Sequence, residues 1–161
     1  MSAERGNMHR REVRRALITG GAGFIGSNLA ERLLSEPDVE VRLFDNLSRP
    51  GVEKNLQWLR SLAGSDRLQV IQGDVRDARA VMQAAREVTE IYHLAAQVAV
   101  TTSVDDPVSD FQVNANGTLN VLEAARRVAD EPFVLYTSTN KVYGSLPGLS
   151  IEKRKTRYRA A

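Results

Sequence analysis

The chain has 161 residues, 42% of them hydrophobic and 26% charged, which is the length and balance of one domain with its own core. Its formal charge is only +2, and much of the basic excess sits in two terminal runs, "HRREVRR" and "EKRKTRYR", that lack a second basic face or a stacking aromatic set; solvated ends are expected there, and nucleic acid is not an expected partner. The absence of cysteine excludes disulfides and thiolate metal sites, His9 and His93 are too few for a histidine zinc centre, and no apolar run reaches the ~20 residues of a membrane span, so no metal, no membrane and a cytoplasmic location are expected.

In chain order, "RALITGG" reads as a short buried strand running into glycines. "FIGSNLAERLLSE" follows with Ile25, Leu29 and Leu33 at helical spacing. "VEVRLFDN" alternates Val39, Val41 and Leu43 as a second strand and ends on Asp45. The loop "LSRPG" leads into a helix, "EKNLQWLRSLA", in which Trp58 reads as a packing residue. "RLQVIQGD" is a third strand, "ARAVMQAARE" a third helix and "EIYHLAAQ" a fourth strand, with His93 a strand residue rather than a base. A long helix is expected from about Pro107 to Val128, with Phe111, Ala115, Leu119, Leu122 and Ala125 along one side. "PFVLYTS" is the fifth strand, and the final stretch shows no period and reads as loop.

Strands alternating with helices imply right-handed crossovers and a parallel sheet covered on both faces. The expected fold is a Rossmann-type doubly wound α/β sheet of strand order 3-2-1-4-5, C-terminally truncated because such sheets normally continue past the fifth strand. Three regions are expected: a basic arm over residues 1–14, the sheet domain over 15–144 and an irregular tail over 145–161.

In "LITGGAGFIG" the glycines Gly20, Gly23 and Gly26 fall at GxxGxxG between a strand and a helix. Gly20 suits a tight turn, Gly23 a close backbone approach to a pyrophosphate, and Gly26 tight helix–strand packing. The helix start offers free N–H groups and partial positive charge to phosphates. Asp45 lies about 20 positions after Gly26, the spacing at which an acid accepts from an adenosine ribose. A carboxylate there repels a 2′-phosphate, which favours NAD over NADP, although Arg49 stands nearby. Asp74, in "GDVRD", either accepts from an adenine amino group or forms a plain Asp turn or helix cap before "RDARA". Ala95 and Ala96, in "HLAAQV", are small enough for a cofactor to pass close to backbone.

The stretches "TGGAGFIGSNLA", "FDNLSR", "GDVRD", "HLAAQV", "NANGTLNVLEAAR" and "TSTNKVYG" occur in the order and spacing of the extended short-chain dehydrogenase/reductases. From about Ala16 to Gly144 the chain resembles this family of NAD-dependent nucleotide-sugar epimerases and dehydratases. Within it, "FDNLSRPG", "NLQWLRSL", "HLAAQVAVTTSVDDP" and "STNKVYG" are similar to the 2-epimerases of CDP-sugars. The resemblance implies NAD as cofactor and a nucleotide sugar, first of all a CDP-sugar, as substrate. It implies backbone contacts from Phe24 and Ile25 to the pyrophosphate. Asp45 and Asn46 would hold the ribose with Ser48 and Arg49 near, Asp74 and Val75 would flank adenine, and Leu94, Ala95, Ala96, Gln97 and Val98 would line the cofactor's middle.

The same resemblance implies that Asn114 orders the active site, unless it is a polar residue on a solvent face. Thr139 would hydrogen-bond the sugar hydroxyl being oxidised, unless it caps the following turn. Thr101, Thr102 and Ser103 either reach substrate or form a polar loop, and Tyr143 reads as structural. Family members epimerise by transient oxidation, with a Tyr-x-x-x-Lys pair taking the hydroxyl proton and hydride returning to the other sugar face. That pair is absent from these residues: Tyr158 has no lysine four positions on and belongs to the "KTRYR" loop. No turnover is therefore expected of the chain alone, and apolar surface is expected beside strands four and five. A second copy or a separately encoded C-terminal half are the expected protein partners. The alternatives are a related dehydratase or 4-epimerase, or a non-catalytic NAD-binding module. Asn140-Lys141, where dehydratases usually carry Asp-Glu, counts against dehydration.

Overall fold

A computed structural model describes residues 13–62, 66–129 and 131–161. The expected basic arm lies outside these residues up to position 12, as does His9. Five parallel strands form one sheet in the order β3-β2-β1-β4-β5, as the alternation of strands and helices implied. They are β1 (Arg14–Thr19), β2 (Val39–Asp45), β3 (Leu68–Gln72), β4 (Glu90–His93) and β5 (Phe133–Tyr136).

Alternation along each strand sends its side chains to two separate cores. Ala16, Ile18, Val39, Val41 and Leu43 face one layer, helices α1 (Phe24–Leu34) and α2 (Val52–Leu62), and pack on Ala30, Leu33, Leu56 and Leu59. Leu17, Phe44 and Ile91 face the other layer, helices α3 (Ala78–Ala84) and α6 (Gly117–Arg127), and pack on Val81, Val121 and Ala124. Each fully buried Leu, Ile, Val or Phe contributes about 1.5–3 kcal/mol.

Three readings of the sequence need correction. Arg14 does not belong to a free basic arm. It opens β1 and pairs with Glu90 at 2.6 Å and Glu36 at 2.8 Å, while Arg15 pairs with Glu40 at 3.0 Å. The tail over 145–161 is not wholly irregular: β6 (Ile151–Lys153) and β7 (Tyr158–Ala160) form an antiparallel hairpin that contains Tyr158. Three-residue strands with every side chain exposed leave too little pattern to read from sequence.

Nor is the long helix uniform. A short helix, α4 (Val100–Asp105), precedes it and takes in Thr101, Thr102 and Ser103, in place of the polar loop that was one of their two expected readings. Asp106 then caps α5 (Pro107–Phe111), and a π-helical segment, Gln112–Asn116, joins α5 to α6. The inserted residue of a π turn rotates the helix beyond it. Beyond it Gly117, Val121 and Ala124 face the sheet, whereas Leu119 and Leu122 of the anticipated stripe are exposed, as is Phe111 before it. Ile25 of the first helix is likewise exposed, at a cleft over the carboxyl ends of the strands. On β5, Phe133, Leu135 and Tyr136 are exposed, so the uncovered apolar surface belongs to this edge strand, while Ile91 and His93 of β4 are buried.

Candidate functional site

The cleft at the carboxyl ends of the strands has a volume of about 1200 Å³. That exceeds the ~300–1,000 Å³ of ordinary small-molecule pockets, and it lies where the strand order reverses between β1 and β4. The glycine turn between β1 and α1 forms its floor. Gly20 has φ +69°, and a Cβ there would stand 2.8 Å from the Ala95 nitrogen. A Cβ on Gly26 would stand 2.5 Å from the Gly20 carbonyl oxygen, which is backbone. Gly23 is the N-cap of α1 and supplies no side-chain cap, and the first turn of α1 carries no acid. The unpaired N–H groups of that turn therefore face the cleft as an anion cradle, with the exposed residues Phe24 and Ile25 at its lip.

Asp45, at the end of β2, has one oxygen accepting from Ala22 N–H at 3.0 Å and the other from Leu47 N–H at 2.9 Å. It braces the glycine turn and retains lone pairs toward the cleft. Asn55 adds a second brace from α2, donating to Ala22 C=O at 2.8 Å. Asn46 donates to Asp74 at 3.3 Å and accepts from Ser48 N–H at 3.1 Å. Asp74 itself is gripped by Arg76 through two bonds of 2.9 and 2.7 Å. The Arg76 guanidinium holds the Asp74 carboxyl down at about 2. Asp74 makes an Asp turn, accepting from Arg76 N–H at 2.9 Å, rather than a helix cap; the cap is Asp77, which accepts from Arg79 and Ala80 N–H. Val75 is buried against Gly117. Arg49 spans the mouth and donates to Ala96 C=O at 3.1 Å.

The opposite wall is the loop Leu94–Val98, pinned by Asn114. Asn114 Oδ1 accepts from Gln97 N–H at 2.9 Å, and its Nδ2 donates to Gln97 C=O at 3.0 Å and to Asp110 at 3.1 Å. Asn114 is thus not on a solvent face: the π turn aims it at the cleft. Thr139 lies at the cleft end of β5 and accepts from Lys141 N–H at 3.3 Å, as N-cap of a 3₁₀ turn over Asn140–Tyr143. Tyr143, expected to be structural, is exposed. The cleft gathers every cofactor and catalytic candidate selected from sequence, together with Asn55 and Thr118, which the sequence did not single out. Thr118 follows Asn114 by about one helical turn, a signal that was legible but carried no meaning before the π segment was known.

A family model described as GDP-mannose 4,6 dehydratase matches residues 17–160. The chain belongs to this NAD-dependent epimerase/dehydratase family. Within the family it is 45% identical to CDP-paratose 2-epimerase of Salmonella typhi over 88% of its own length and 41% of the relative's. The UDP-glucose 4-epimerase of Thermus thermophilus, solved in complex with NAD, is 44% identical with a TM-score of 0.57, over 70% of this chain and 33% of that one. The UDP-N-acetylglucosamine 4-epimerase of Methanobrevibacter ruminantium M1, solved with UDP-N-acetylmuramic acid, is 28% identical with a TM-score of 0.70, over 88% and 43%. The chain thus spans about two fifths of the curated relatives it matches. Among the described residues of this family member, no helix is long and apolar enough to cross a membrane.

Proposed function

We propose that the chain is the cofactor-binding portion of an NAD-dependent nucleotide-sugar epimerase acting on a CDP-sugar, with CDP-paratose the first substrate to test. The observation that carries the reading is the glycine turn at Gly20–Gly26, with its uncapped helix start and the Asp45 brace behind it. These residues fit a dinucleotide: the anion cradle suits a diphosphate, and the free lone pairs of Asp45 suit a ribose diol. Asn46, Ser48 and Asp74 continue that edge toward adenine, and Gln97 and Asn114 border the nicotinamide end. Bound NAD would supply a reversible hydride acceptor there. Thr139 would position the sugar hydroxyl by a hydrogen bond.

The CDP-sugar assignment rests on the 45% identity to CDP-paratose 2-epimerase, and Asn140-Lys141 supports epimerisation over dehydration. The 161 residues contain no Tyr-x-x-x-Lys pair, so a proton acceptor for the sugar hydroxyl is lacking. An unassisted phenol, with a pKa of about 10, is only ~0.1% ionised at pH 7. A C-terminal half, in the same polypeptide or supplied separately, would complete the reaction.

Calorimetric titration of the purified chain with NAD tests the reading. Saturable uptake is expected, weakened at least tenfold by Asp45→Ala. No uptake by folded protein, or uptake indifferent to that substitution, would overturn it. The same preparation is expected to leave CDP-paratose and CDP-tyvelose unconverted.

A further inference from the structure

His93 closes β4 and is 2% exposed, yet both ring nitrogens are engaged by hydroxyls from different elements. Nδ1 lies 2.6 Å from Thr19 Oγ1 at the end of β1, and Nε2 lies 3.0 Å from Thr118 Oγ1 in α6. The flanking bonds decide which nitrogen carries the proton. Thr118 donates its hydroxyl proton to Asn114 C=O at 2.6 Å. Its oxygen can then only accept from the ring, so Nε2 bears hydrogen. Nδ1 is left as the acceptor and takes the Thr19 hydroxyl proton, while Thr19 Oγ1 accepts from Ala95 N–H at 3.3 Å.

Every donor in this series points the same way, from Ala95 N–H through Thr19, His93 and Thr118 to the Asn114 carbonyl. Buried bonds aligned in series polarise one another, so they form as a unit. Both ends of the series meet the same loop: Thr19 holds Ala95 directly, and Asn114 holds Gln97 through its side-chain amide. Burial also pushes the ring pKa down to about 4, which keeps it neutral at pH 7.

We infer that His93 is a positioning residue, held as the neutral Nε2–H tautomer, which through Thr118 sets the π turn and so the grip of Asn114 on the Leu94–Val98 wall of the cleft. The consequence for ligand binding rests on the proposed NAD function, but the relay itself does not. It differs from a merely space-filling histidine in that its effect depends on a hydroxyl at position 118 and extends to Gln97, in a different segment.

Two measurements on the unliganded chain test it. Ring ¹⁵N NMR at pH 7 is expected to show His93 as the Nε2–H tautomer with a slowly exchanging ring proton. Amide hydrogen exchange is expected to quicken at Gln97 by tenfold or more in Thr118→Val and to return within twofold of the wild type in Thr118→Ser. An Nδ1–H or doubly protonated ring, or Gln97 protection unchanged in Thr118→Val, overturns the inference. Should both variants fail to fold, the wild-type ring tautomer alone decides. In NAD titrations the affinity should fall at least fivefold in Thr118→Val and recover in Thr118→Ser. If wild-type chain takes up no NAD, the functional proposal fails, while the tautomer and exchange results still judge the relay.

Discussion

Asn114 and Gln97 form a closed two-way pair, side-chain amide against main chain, with bonds of 2.9 and 3.0 Å between residues 17 positions apart. Asn114→Asp keeps the shape and the acceptor but loses the donor, and it sets a carboxylate against both Gln97 C=O and Asp110. Leaving a part-buried carbonyl unpaired costs about 1–3 kcal/mol. Urea denaturation should register that loss, and NAD titration should show affinity down by about tenfold.

Gly26 and Gly23 should separate stability from ligand binding. A Cβ on Gly26 meets the Gly20 carbonyl at 2.5 Å and the Gly21 Cα at 2.7 Å, and backbone cannot move aside as a side chain does. Gly26→Ala is expected to lower stability by roughly 1–3 kcal/mol. Gly23→Ala meets only the Gly20 carbonyl, at 3.2 Å, from an ordinary N-cap conformation. It should cost much less stability while weakening NAD at least fivefold. Thermal melts and calorimetry on both variants make the comparison.

Asp45 makes two bonds to backbone, and in the proposed NAD site its charge would select against a 2′-phosphate. Asp45→Asn retains one acceptor oxygen for the glycine turn but removes the repulsion. The ratio of NAD to NADP affinity should drop about tenfold, equal to ~1.4 kcal/mol. Parallel titrations with the two nucleotides measure it, and an unaltered ratio would assign discrimination elsewhere.

Acid should act in two windows. His93 has a folded pKa of about 4 against the ordinary 6.5, because burial disfavours its charged form. The unfolded chain takes up that proton first, so stability falls from about pH 6.5 to 4 by ~2–3 kcal/mol and then levels for this group. Asp74 has a folded pKa of about 2 against 3.8, because Arg76 stabilises its anion. Its contribution is present above about pH 4 and is lost as pH falls toward 2, about 1–2 kcal/mol given the partial exposure of the pair. Denaturation curves against pH should lose the first window in His93→Gln and the second in Asp74→Asn.

The sheet and the glycine turn were legible in the linear chain for a definite reason. Strand pairing follows two-residue alternation over Val39–Leu43 and the short apolar runs beside it, and Gly20 and Gly26 stand where no other residue fits. Asp45 was legible by its spacing, but its bonds to Ala22 and Leu47 join separate segments and appear only once β1 and β2 lie side by side. The face of the Pro107–Arg127 region was misjudged because the stripe was phased on Phe111, which is itself exposed, and because regular 3.6-residue spacing was carried through Gln112–Asn116. There the π segment shifts the register, burying Val121 and exposing Leu119.

Local pattern, then, determined the layered α/β architecture, the glycine turn and the acid beside it, since each depends on near neighbours in the chain. Tertiary packing alone decided that His93 lies between Thr19 and Thr118, and that Asn114 grips Gln97. Those bonds connect residues brought together by crossovers, and the direction of each depends on where the next proton is already committed.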